Sequence, residues 1–569
     1  MKKNKKKLGI IAGVILVILL LAAFTPFIFP WSYKNADPGL TNLKPDFNLS
    51  SLFLKYNFGD GENVYTNLSV VGTRGMQLKN YKVANMYFGL PVTSVAPSAF
   101  EGNTKLESII LPENIKYISA NSFSGCTSLK TVSLPTTLVT ISHTAFKDCT
   151  ALEYSEYGNA LYLGNEENPY LALISVINTS VKEITLHEGA RVIADRAFAD
   201  CSKLNSIVFN GSVVPVYSYS DITALTKVTI KGNATEVPTG AFAGCVRLSE
   251  INLPDTIKTI GNTAFSGCSA LENIKLPASL ESIGNSAFNK CQSLTSLELP
   301  ETVTSIGNSA FTNCSKLESI NIPNTVTYIG DYAFSSCISL DNVVIPEGIT
   351  GINNYAFQGC TSLSNIELPN SVTKIGLSAF SGCSSLANIK LSESLTNIYA
   401  SAFSQCESLT SIDIPESVTI IADYAFDGCV SLETVTLSKN VERIGYAPFS
   451  SCEGLKSINV AADNANYTSI DGNLYSKDGK TLIQYACGKE SQSFYIPSTV
   501  TTIEDSAFRG CKTLSFVFIP DSVATIKGFV FFGCSKTLQI YAEEISQPNG
   551  WDKNWNPSKF TVVWGYVER

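Results

Sequence analysis

Residues 254–276 read PDTIKTIGNTAFSGCSALENIKL, and nearly the same 23-residue pattern recurs along most of the chain. Each copy has a phenylalanine, a cysteine three residues later and a leucine three residues after that. In the most regular block the phenylalanines lie 23 residues apart, at positions 242, 265, 288, 311, 334, 357, 380, 403, 426 and 449. A fixed period of this length indicates a solenoid, in which successive coils stack on one another.

Within one copy, the alternation of residue types predicts which positions are buried. Ile274 and Leu276 alternate with Asn273 and Lys275, the period of two of a β-strand with one buried face. Proline and glycine mark the turns between this main strand and a second short extended stretch. The expected inward residues are Ile257, Ile260, Ala264, Phe265, Cys268, Leu271, Ile274 and Leu276. A single coil has no interior of its own, so stability must come from stacking.

The pattern continues on both sides of the regular block, with interruptions. Further copies carry Phe at 100, 123, 146, 198, 508 and 531, and residues 225–230 resemble the strand of a degenerate copy that lacks its Ala-Phe pair. Insertions near 153–183 and 461–496 interrupt the period. Turn sequences at 157–159, 164–169, 471–473 and 477–480 predict β-hairpins in these insertions.

The N-terminus has the pattern of a membrane anchor. Residues 1–7 contain five lysines, and residues 8–29 form an uncharged stretch long enough to cross a bilayer as a helix. The lysines place residues 1–7 in the cytoplasm and the rest of the chain outside, as a single-pass protein of the cell membrane. A cleaved signal peptide is the alternative, with residues 21–23 as the best cleavage site, and the protein would then be secreted.

These observations together predict the organisation of the chain. The fold class is a repeat solenoid, a mainly β array with parallel strands and short turns, plus an N-terminal transmembrane helix. Residues 1–7 are the cytoplasmic basic segment, 8–29 the anchor or signal, 30–95 a linker and N-terminal cap, 96–545 the solenoid and 546–569 the C-terminal cap. Trp551, Trp555 and Trp564 fall in the last segment, where large aromatic side chains would cover the final coil.

The composition narrows the class of function. Charged residues make up 16% of the chain and the net charge is −8, with the one dense basic run at the extreme N-terminus. A nucleic-acid partner is therefore not expected. A hydrophobic fraction of 44% argues against a disordered chain.

The repeat resembles that of the BspA-like leucine-rich repeat family of bacterial and protist surface proteins. The resemblance covers about residues 85–545 and is carried by the spacing of Pro, Ile, Ala-Phe, Cys and Leu quoted above. It implies a curved or spiralling solenoid with a surface role, often adhesion to host or matrix proteins or to other cells. It supplies no catalytic residue, and it does not identify a ligand.

Sixteen cysteines in an exported protein would ordinarily suggest disulfides. Here the equivalent positions in neighbouring coils point in parallel, which keeps their Cβ atoms about 4.8 Å apart, beyond the distance that a disulfide prefers. The sequence therefore predicts a column of buried, unreactive thiols, with Cys487 outside the column as a free thiol. A single cysteine per coil also provides no metal site.

No residue set in the sequence predicts catalysis. His143 and His187, the only two histidines, align with turn positions and are expected to be exposed. No carboxylate is placed where its pKa would rise towards a catalytic value. We therefore expect neither an enzyme nor a cofactor.

The candidate binding surface consists of outward residues of the main strands and of tyrosines at turns. A polar strand face is also required of any solubilised sheet, so this pattern has a purely structural interpretation as well. As a binding surface it would suit a host, matrix or cell-surface protein, or alternatively a glycan in a carbohydrate-binding or envelope-structural module. The candidate residues are Asn273, Lys275, Ser296, Glu298, Ser319, Asn321, Asn342, Asn365, Glu367, Asn388, Lys390, Ser411, Asp413, Tyr328, Tyr332 and Tyr355.

Overall fold

The computed structural model describes residues 53–58, 65–72, 79–87, 90–215 and 219–567. The chain divides into two compact units, one within residues 1–204 and 208–217 and the other within residues 205–207 and 218–569. The predicted anchor at 8–29 lies outside the described residues. Within the described ranges, no helix is long and apolar enough to span a membrane.

The first unit is made of short strands in parallel columns. β5, β7 and β9 pair in parallel, as do β3, β6 and β8, and β1 and β2 form an antiparallel pair at the start of the first column. The strands are β1 (Phe53–Phe58), β2 (Tyr65–Gly72), β3 (Asn80–Lys82), β4 (Met86–Tyr87), β5 (Leu90–Val95), β6 (Ser108–Ile110), β7 (Tyr117–Ile118), β8 (Thr131–Ser133), β9 (Thr140–Ile141), β10 (Ser155–Tyr157), β11 (Ala160–Leu163), β12 (Ala172–Val176), β13 (Glu183–Leu186) and β14 (Val192–Ile193), with β15 (Ser206–Phe209) at the junction.

The second unit continues the same plan over more coils. Its strands are β16 (Lys227–Ile230), β17 (Glu236–Val237), β18 (Glu250–Asn252), β19 (Thr259–Ile260), β20 (Ser282–Ile283), β21 (Ser296–Glu298), β22 (Ser305–Ile306), β23 (Ser319–Asn321), β24 (Tyr328–Ile329), β25 (Asn365–Glu367), β26 (Lys374–Ile375), β27 (Asn388–Lys390), β28 (Asn397–Ile398), β29 (Ser411–Ile412), β30 (Ile420–Ile421), β31 (Thr434–Leu437), β32 (Arg443–Ile444), β33 (Ser457–Val460), β34 (Tyr467–Ile470), β35 (Asn473–Ser476), β36 (Thr481–Gln484), β37 (Ser493–Tyr495), β38 (Thr502–Ile503), β39 (Phe516–Ile519), β40 (Thr525–Ile526), β41 (Gln539–Ala542) and β42 (Thr561–Trp564).

Coils of the second unit bond to their neighbours on up to three sides. Main strands such as β21 and β23 pair in parallel, and so do the short strands β19, β20 and β22. On the third side the turn that carries Ala-Phe also contributes, because the amide of Phe265 donates to the carbonyl of Ala287 at 2.8 Å. Backbone polar groups are thus satisfied between coils rather than within one coil.

The interior matches the predicted columns. All eight residues expected to face inward in the copy 254–276 are at most 9% exposed. From Phe242 to Phe449 the ring centroids of successive phenylalanines are 5.2–5.7 Å apart, and the rings are stacked. The prediction of a mainly β solenoid with parallel strands and short turns is therefore confirmed.

One local prediction is confirmed and extended, and another needs correction. The degenerate copy has its strand, β16, and lacks the Ala-Phe pair as predicted. Tyr219 packs against Phe242 with ring centroids 5.0 Å apart, and Ile222 is buried 23 residues before Cys245, so this copy keeps an aromatic and an apolar core residue. In the other case residues 273–276 alternate in burial as predicted but form no strand in this part of the described chain.

Side-chain amides link the turns of adjacent coils. The Oδ1 atom of Asn262 accepts a hydrogen bond from the amide of Asn285, and Asn285 repeats this with Asn308. Each amide side chain lies over a glycine of the next coil, and a Cβ built on Gly307 would be 2.6 Å from the Asn285 backbone nitrogen. At Ala422, where the preceding coil has Ala400 in place of an amide, the glycine is absent too.

Both insertions form three-stranded antiparallel meanders that rejoin a parallel column. β10, β11 and β12 lead to β14, and β34, β35 and β36 lead to β38. The turn between the first two strands of each insertion has positive φ at both central residues. These are Gly158 and Asn159 in the first insertion and Asp471 and Gly472 in the second. That geometry is typical of two-residue hairpin loops, and it agrees with the predicted hairpins.

The second insertion ends in a disulfide, which corrects the prediction of a free thiol at Cys487. Cys487 is bonded to Cys511, with their Cα atoms 4.7 Å apart. Tyr485 occupies the position of the core phenylalanine, 23 residues before Phe508, and stacks on it at 5.1 Å. Cys487 therefore follows its core aromatic by two residues instead of three. This shift breaks the parallel alignment that keeps the other cysteine pairs apart.

Candidate functional site

The predicted outward residues lie on the solvent side of the main strands in the second unit. In β21, Ser296 and Glu298 are exposed while Leu297 between them is 3% exposed. The same alternation occurs in β23 and β25, and Asn273, Lys275, Ser411 and Asp413 are exposed at equivalent positions. A purely polar row of this kind keeps the sheet soluble and by itself selects no ligand.

Part of this face forms a groove. The groove has a volume of about 510 Å³ and is lined by Asn342, Val343, Val344, Ile345, Glu347, Asn365, Ile366, Glu367, Pro369, Asn388 and Lys390. Asn342 makes only isolated bridges to Ser319 and Asn365, so regular strand pairing is interrupted in this coil. Five of the predicted site residues, from Asn342 to Lys390, are brought together in this groove.

The groove lining includes an exposed apolar residue that the predicted set of site residues omitted. Val344 is 69% exposed, although the residues 23 positions before and after it are Asn321 and Glu367. The sequence signal was present, because an aliphatic residue interrupts a row of polar ones. Protein-binding patches combine apolar side chains with a polar rim, and Val344 adds an exposed apolar side chain to this polar lining.

Amide and hydroxyl groups beside the valine bond to one another across coils. The Nδ2 atom of Asn388 donates to Oδ1 of Asn365 at 3.2 Å, and Nδ2 of Asn365 donates to the hydroxyl of Ser364 at 3.1 Å. The Ser364 hydroxyl donates in turn to the carboxylate of Asp341 at 3.0 Å. These contacts orient the side chains while leaving further lone pairs and N–H groups directed to solvent.

Charges on this face are largely offset between neighbouring coils. Lys390 forms an ion pair with Glu367, and its hydrogen bond to that carboxylate raises the pKa of the lysine. Lys456 pairs with Glu433 in the same way, at 3.1 Å. Lys275 and Glu298, 23 residues apart on this face, are not within ion-pair distance of each other in the described part of the unit. The face is therefore polar with little net field, which favours contact recognition over long-range attraction.

A second groove of about 510 Å³ lies further along the array. It is lined by Asp413, Ile414, Glu416, Thr436, Leu437, Ser438, Lys439, Ala461 and Asp463. Three carboxylates face one lysine there, so it is more acidic than the groove around Val344. Of the predicted site residues, Asp413 lies in this groove.

The predicted tyrosines form a separate surface. Tyr332 and Tyr355 precede Ala-Phe pairs in adjacent coils, and their rings stack with centroids 4.4 Å apart and planes 5° apart. Both have positive φ, at +58° and +57°, as does the residue at this turn position in most coils. Tyr328 is 46% exposed and its hydroxyl donates to Oδ1 of Asn308 at 3.2 Å. The tyrosines therefore belong to the turns and do not line the groove.

The free cysteines are buried in a column, and from Cys268 to Cys452 each thiol has a backbone partner. The Sγ atom of Cys383 donates to the carbonyl of Phe357 in the preceding coil at 3.1 Å, and this contact recurs from Cys268 to Cys452. Burial raises the pKa of the Cys291 and Cys383 thiols to about 12. A protonated, buried thiol is a poor nucleophile.

The histidines differ from each other. His143 is exposed and its ring lies 3.1 Å from the carboxylate of Asp195. His187 is half-buried, stacked on Tyr170 with ring centroids 3.7 Å apart, and its Nδ1 atom accepts a hydrogen bond from the amide of Gly189. The prediction of an exposed turn was wrong for His187, because the first insertion supplies aromatic rings that cover it. Among the described residues, no cluster of three potential metal ligands occurs.

The repeat matches a known family over most of its length. The family described as BspA type leucine-rich repeat region (6 copies) matches residues 77–166, 176–271, 235–364, 350–480 and 484–547. The chain belongs to this family. In this BspA-type chain the repeat is a scaffold of a kind that is typically not enzymatic. A second match, to the N-terminal transmembrane domain of oligopeptide transport permease C, covers residues 4–45.

Several solved structures are similar to this BspA-type chain. A leucine-rich repeat protein of Bacteroides ovatus is 23% identical, with 86% of this chain and 98% of that chain covered and a TM-score of 0.32. A leucine-rich cell surface protein of Faecalibacterium prausnitzii is 24% identical, with 72% and 93% covered and a TM-score of 0.31. The leucine-rich repeat protein of T. pallidum is 25% identical, with 38% and 88% covered and a TM-score of 0.20. No curated protein matches the chain.

Proposed function

We propose that this BspA-type chain is a non-catalytic surface protein that binds another protein through the groove around Val344. The observation that carries the proposal is an exposed valine that shares the groove lining with hydrogen-bonded amides and one ion pair. Burying an apolar centre drives association, while the polar rim fixes orientation. The partner class is an extracellular matrix, host or cell-surface protein with a small apolar protrusion.

The proposal includes attachment to the cell membrane. Residues 8–29 would anchor the chain with its lysine-rich end inside, and the match of residues 4–45 to a transmembrane domain supports an apolar membrane-inserting segment. Protease added to intact cells should remove the repeat region and leave an N-terminal fragment in the membrane fraction. Recovery of the whole repeat region in the medium, with a new N-terminus after about residue 23, would instead establish secretion.

The binding proposal is tested with a substitution that the coil tolerates. Position 344 is occupied by glutamate in two other coils, at Glu298 and Glu367, so Val344→Glu should fold. The matched control is Val246→Glu, because Val246 is 57% exposed at a turn where Glu407 and Glu453 occupy the equivalent positions. The full chain in detergent or nanodiscs would be screened by surface plasmon resonance against matrix proteins and cell-wall glycans.

We expect Val344→Glu to weaken protein binding at least tenfold and Val246→Glu to leave it within a factor of two. An equal loss of protein binding in both variants, or unchanged binding by Val344→Glu, would show that the groove is not the binding site.

Glycan binding is the second candidate, and the Tyr332–Tyr355 stack favours it. Two parallel rings at a turn offer amphipathic contact area. Serine occupies the same turn position at Ser309 and Ser378, so Tyr332→Ser with Tyr355→Ser preserves the backbone. Loss of glycan binding in this double variant, with protein binding intact, would assign the tyrosines to glycans.

A further inference from the structure

The last coils of the second unit carry aromatic side chains where the regular block carries polar ones. On the outer face of β37, β39 and β41, the residues Tyr495, Phe518 and Tyr541 occupy one row, and Tyr566 and Phe516 lie beside it. Tyr495 stacks on Phe518 at 4.1 Å and Phe518 on Tyr541 at 5.0 Å. We call these five residues the aromatic ridge.

The ridge is only partly covered by its own contacts. Tyr495, Phe518 and Tyr541 stack along the array, so their flat faces are largely occupied. Phe516 and Tyr566 meet these rings at tilted or edge-on angles. Tyr495 is 49% exposed and Phe516 is 37% exposed. Val563, the next residue of the row in β42, is 38% exposed. Aromatic edges in a continuous row are more apolar surface than a strand face needs to stay soluble.

The two sides of the ridge have opposite charge. Exposed lysines precede the strands, and exposed or half-buried carboxylates follow them. The lysines are Lys512, Lys536 and Lys559, and the carboxylates are Asp521, Glu543 and Glu544. Before β37, Lys489 and Glu490 offset each other, and among the described residues no carboxylate follows β42, so both charged rims belong to the coils of β39 and β41. A basic rim, an aromatic centre and an acidic rim thus follow one another along the strand direction.

Such a face is complementary to itself. If a second copy lies over it with its strands reversed, the basic rim of each copy faces the acidic rim of the other and the aromatic rows meet. A two-fold axis parallel to the direction of coil stacking produces this arrangement, and it is isologous because each coil faces its own equivalent. We propose that the aromatic ridge with its two charged rims is a homodimer interface of this chain.

The size of the face sets the strength of the dimer. Four strands at about 4.8 Å spacing and roughly eight to ten residues of chain between the rims give a face of about 500 Å² per copy. Two copies would bury about 1,000 Å² in all, the lower end of specific interfaces, where association is weak and reversible. The charged rims should make it sensitive to salt. Such an interface acts when copies are concentrated on one surface.

The test uses the full chain in nanodiscs or isolated membranes. Gln539→Cys places a reactive thiol beside Tyr541, and the native free thiols are buried and should not react. A short bis-maleimide should give a covalent dimer, with at least a fivefold lower yield at 1 M salt than at 50 mM. The matched control is Ser296→Cys, on the polar face of the regular block.

Charge reversal distinguishes a specific dimer from collision. Lys536→Glu should reduce the cross-linked dimer of the Gln539→Cys chain at least fivefold, and so should Glu543→Lys. Combining the two changes restores opposite rims and should restore the yield. Equal cross-linking in the Ser296→Cys control, failure of the combined change to restore the dimer, or cross-linking only to a different protein would overturn the proposal.

Discussion

The regular block at residues 242–452 and the last coils at 485–567 share an interior and differ outside. Both contain stacked aromatic rings, as in the Phe357–Phe380 pair at 5.5 Å and the Phe508–Phe531 pair at 5.1 Å. Outside, the first presents amides and ion pairs, whereas the second presents the aromatic ridge. The coil geometry therefore dictates the inward residues and leaves the outward ones free. Function should be sought where the outward residues depart from the local rule, at Val344 and at the ridge.

The two regions also differ in their cysteines, and this gives the largest expected effect. A buried thiol whose pKa is raised keeps its proton in the folded state when the unfolded chain has lost it, so its stabilisation is complete below pH 9 and declines as the pH rises towards 12. Each such thiol lowers stability by about 1.4 kcal/mol for each pH unit in that window. The regular block has ten such cysteines in its column, whereas the last coils have one free thiol, Cys534.

We therefore expect the regular block to unfold at lower alkaline pH than the last coils. Far-ultraviolet circular dichroism reports the whole array, whereas three of the four tryptophans lie in the last coils. In a titration from pH 8 to 12 the dichroism signal should fall before the tryptophan fluorescence shifts. Coincident transitions would show that the thiol column does not govern alkaline stability.

The shared interior predicts equal costs for core truncation. Phe357→Ala and Phe531→Ala each remove a fully buried ring, and each should cost about 3–5 kcal/mol of local stability. Hydrogen exchange read by mass spectrometry should show the loss in the coils around each site. Asn365→Ala, on the exposed face, is the control and should change exchange by less than about 0.5 kcal/mol. Unequal losses of stability at the two phenylalanines would show that the two interiors are not equivalent in packing.

Reduction should affect the last coils alone. The Cys487–Cys511 disulfide closes a short loop within the chain, with a sequence separation of 24. Opening a loop of that size should cost about 3 kcal/mol through the entropy of the unfolded chain. Under a thiol reductant, exchange should accelerate in peptides from residues 467–534 and stay unchanged around Cys383. Protection that is the same in both redox states would rule out a stabilising role.

A smaller loss of stability is expected from disturbing the contacts between turns of adjacent coils in the regular block. A methyl group added at Gly307 would lie 2.6 Å from the Asn285 backbone nitrogen, so Gly307→Ala should cost about 1–3 kcal/mol as the two coils are forced apart. Ala422→Gly is the comparison at the equivalent turn position, because the native alanine there already carries a Cβ, and it should cost less than about 1 kcal/mol. Thermal unfolding of the two variants measures the difference. If Gly307→Ala left thermal stability unchanged, the turns of adjacent coils would not be closely packed.

The smallest effect is expected at the groove. Lys390 and Glu367 are paired, but their side chains are 73% and 67% exposed. Lys390→Met should therefore change thermal stability by less than about 0.5 kcal/mol. A larger loss would show that the ion pair belongs to the scaffold, and any change in binding by this variant could then no longer be assigned to recognition.

Much of this structure followed from the sequence because the repeat encodes it directly. The period placed Phe265, Cys268 and Leu271 in columns, and one inward side chain per coil is enough to define each column when coils are identical. The hairpin at Asp471–Gly472 was also predictable, since two residues with positive φ in succession are needed for that turn. The grouping of Asn365, Glu367, Asn388 and Lys390 was predictable as well, because residues 23 apart lie side by side.

Only the tertiary structure decided what depends on a departure from the period. The partner of Cys487 is fixed by the displacement of one residue relative to Tyr485, and the cover over His187 by the fold of an insertion. The groove at Val344 and the aromatic ridge likewise arise from several coils acting together. The sequence specifies the inward residues through a repeated local rule, whereas the shape of the outer surface depends on contacts between non-equivalent coils, which no single repeat contains.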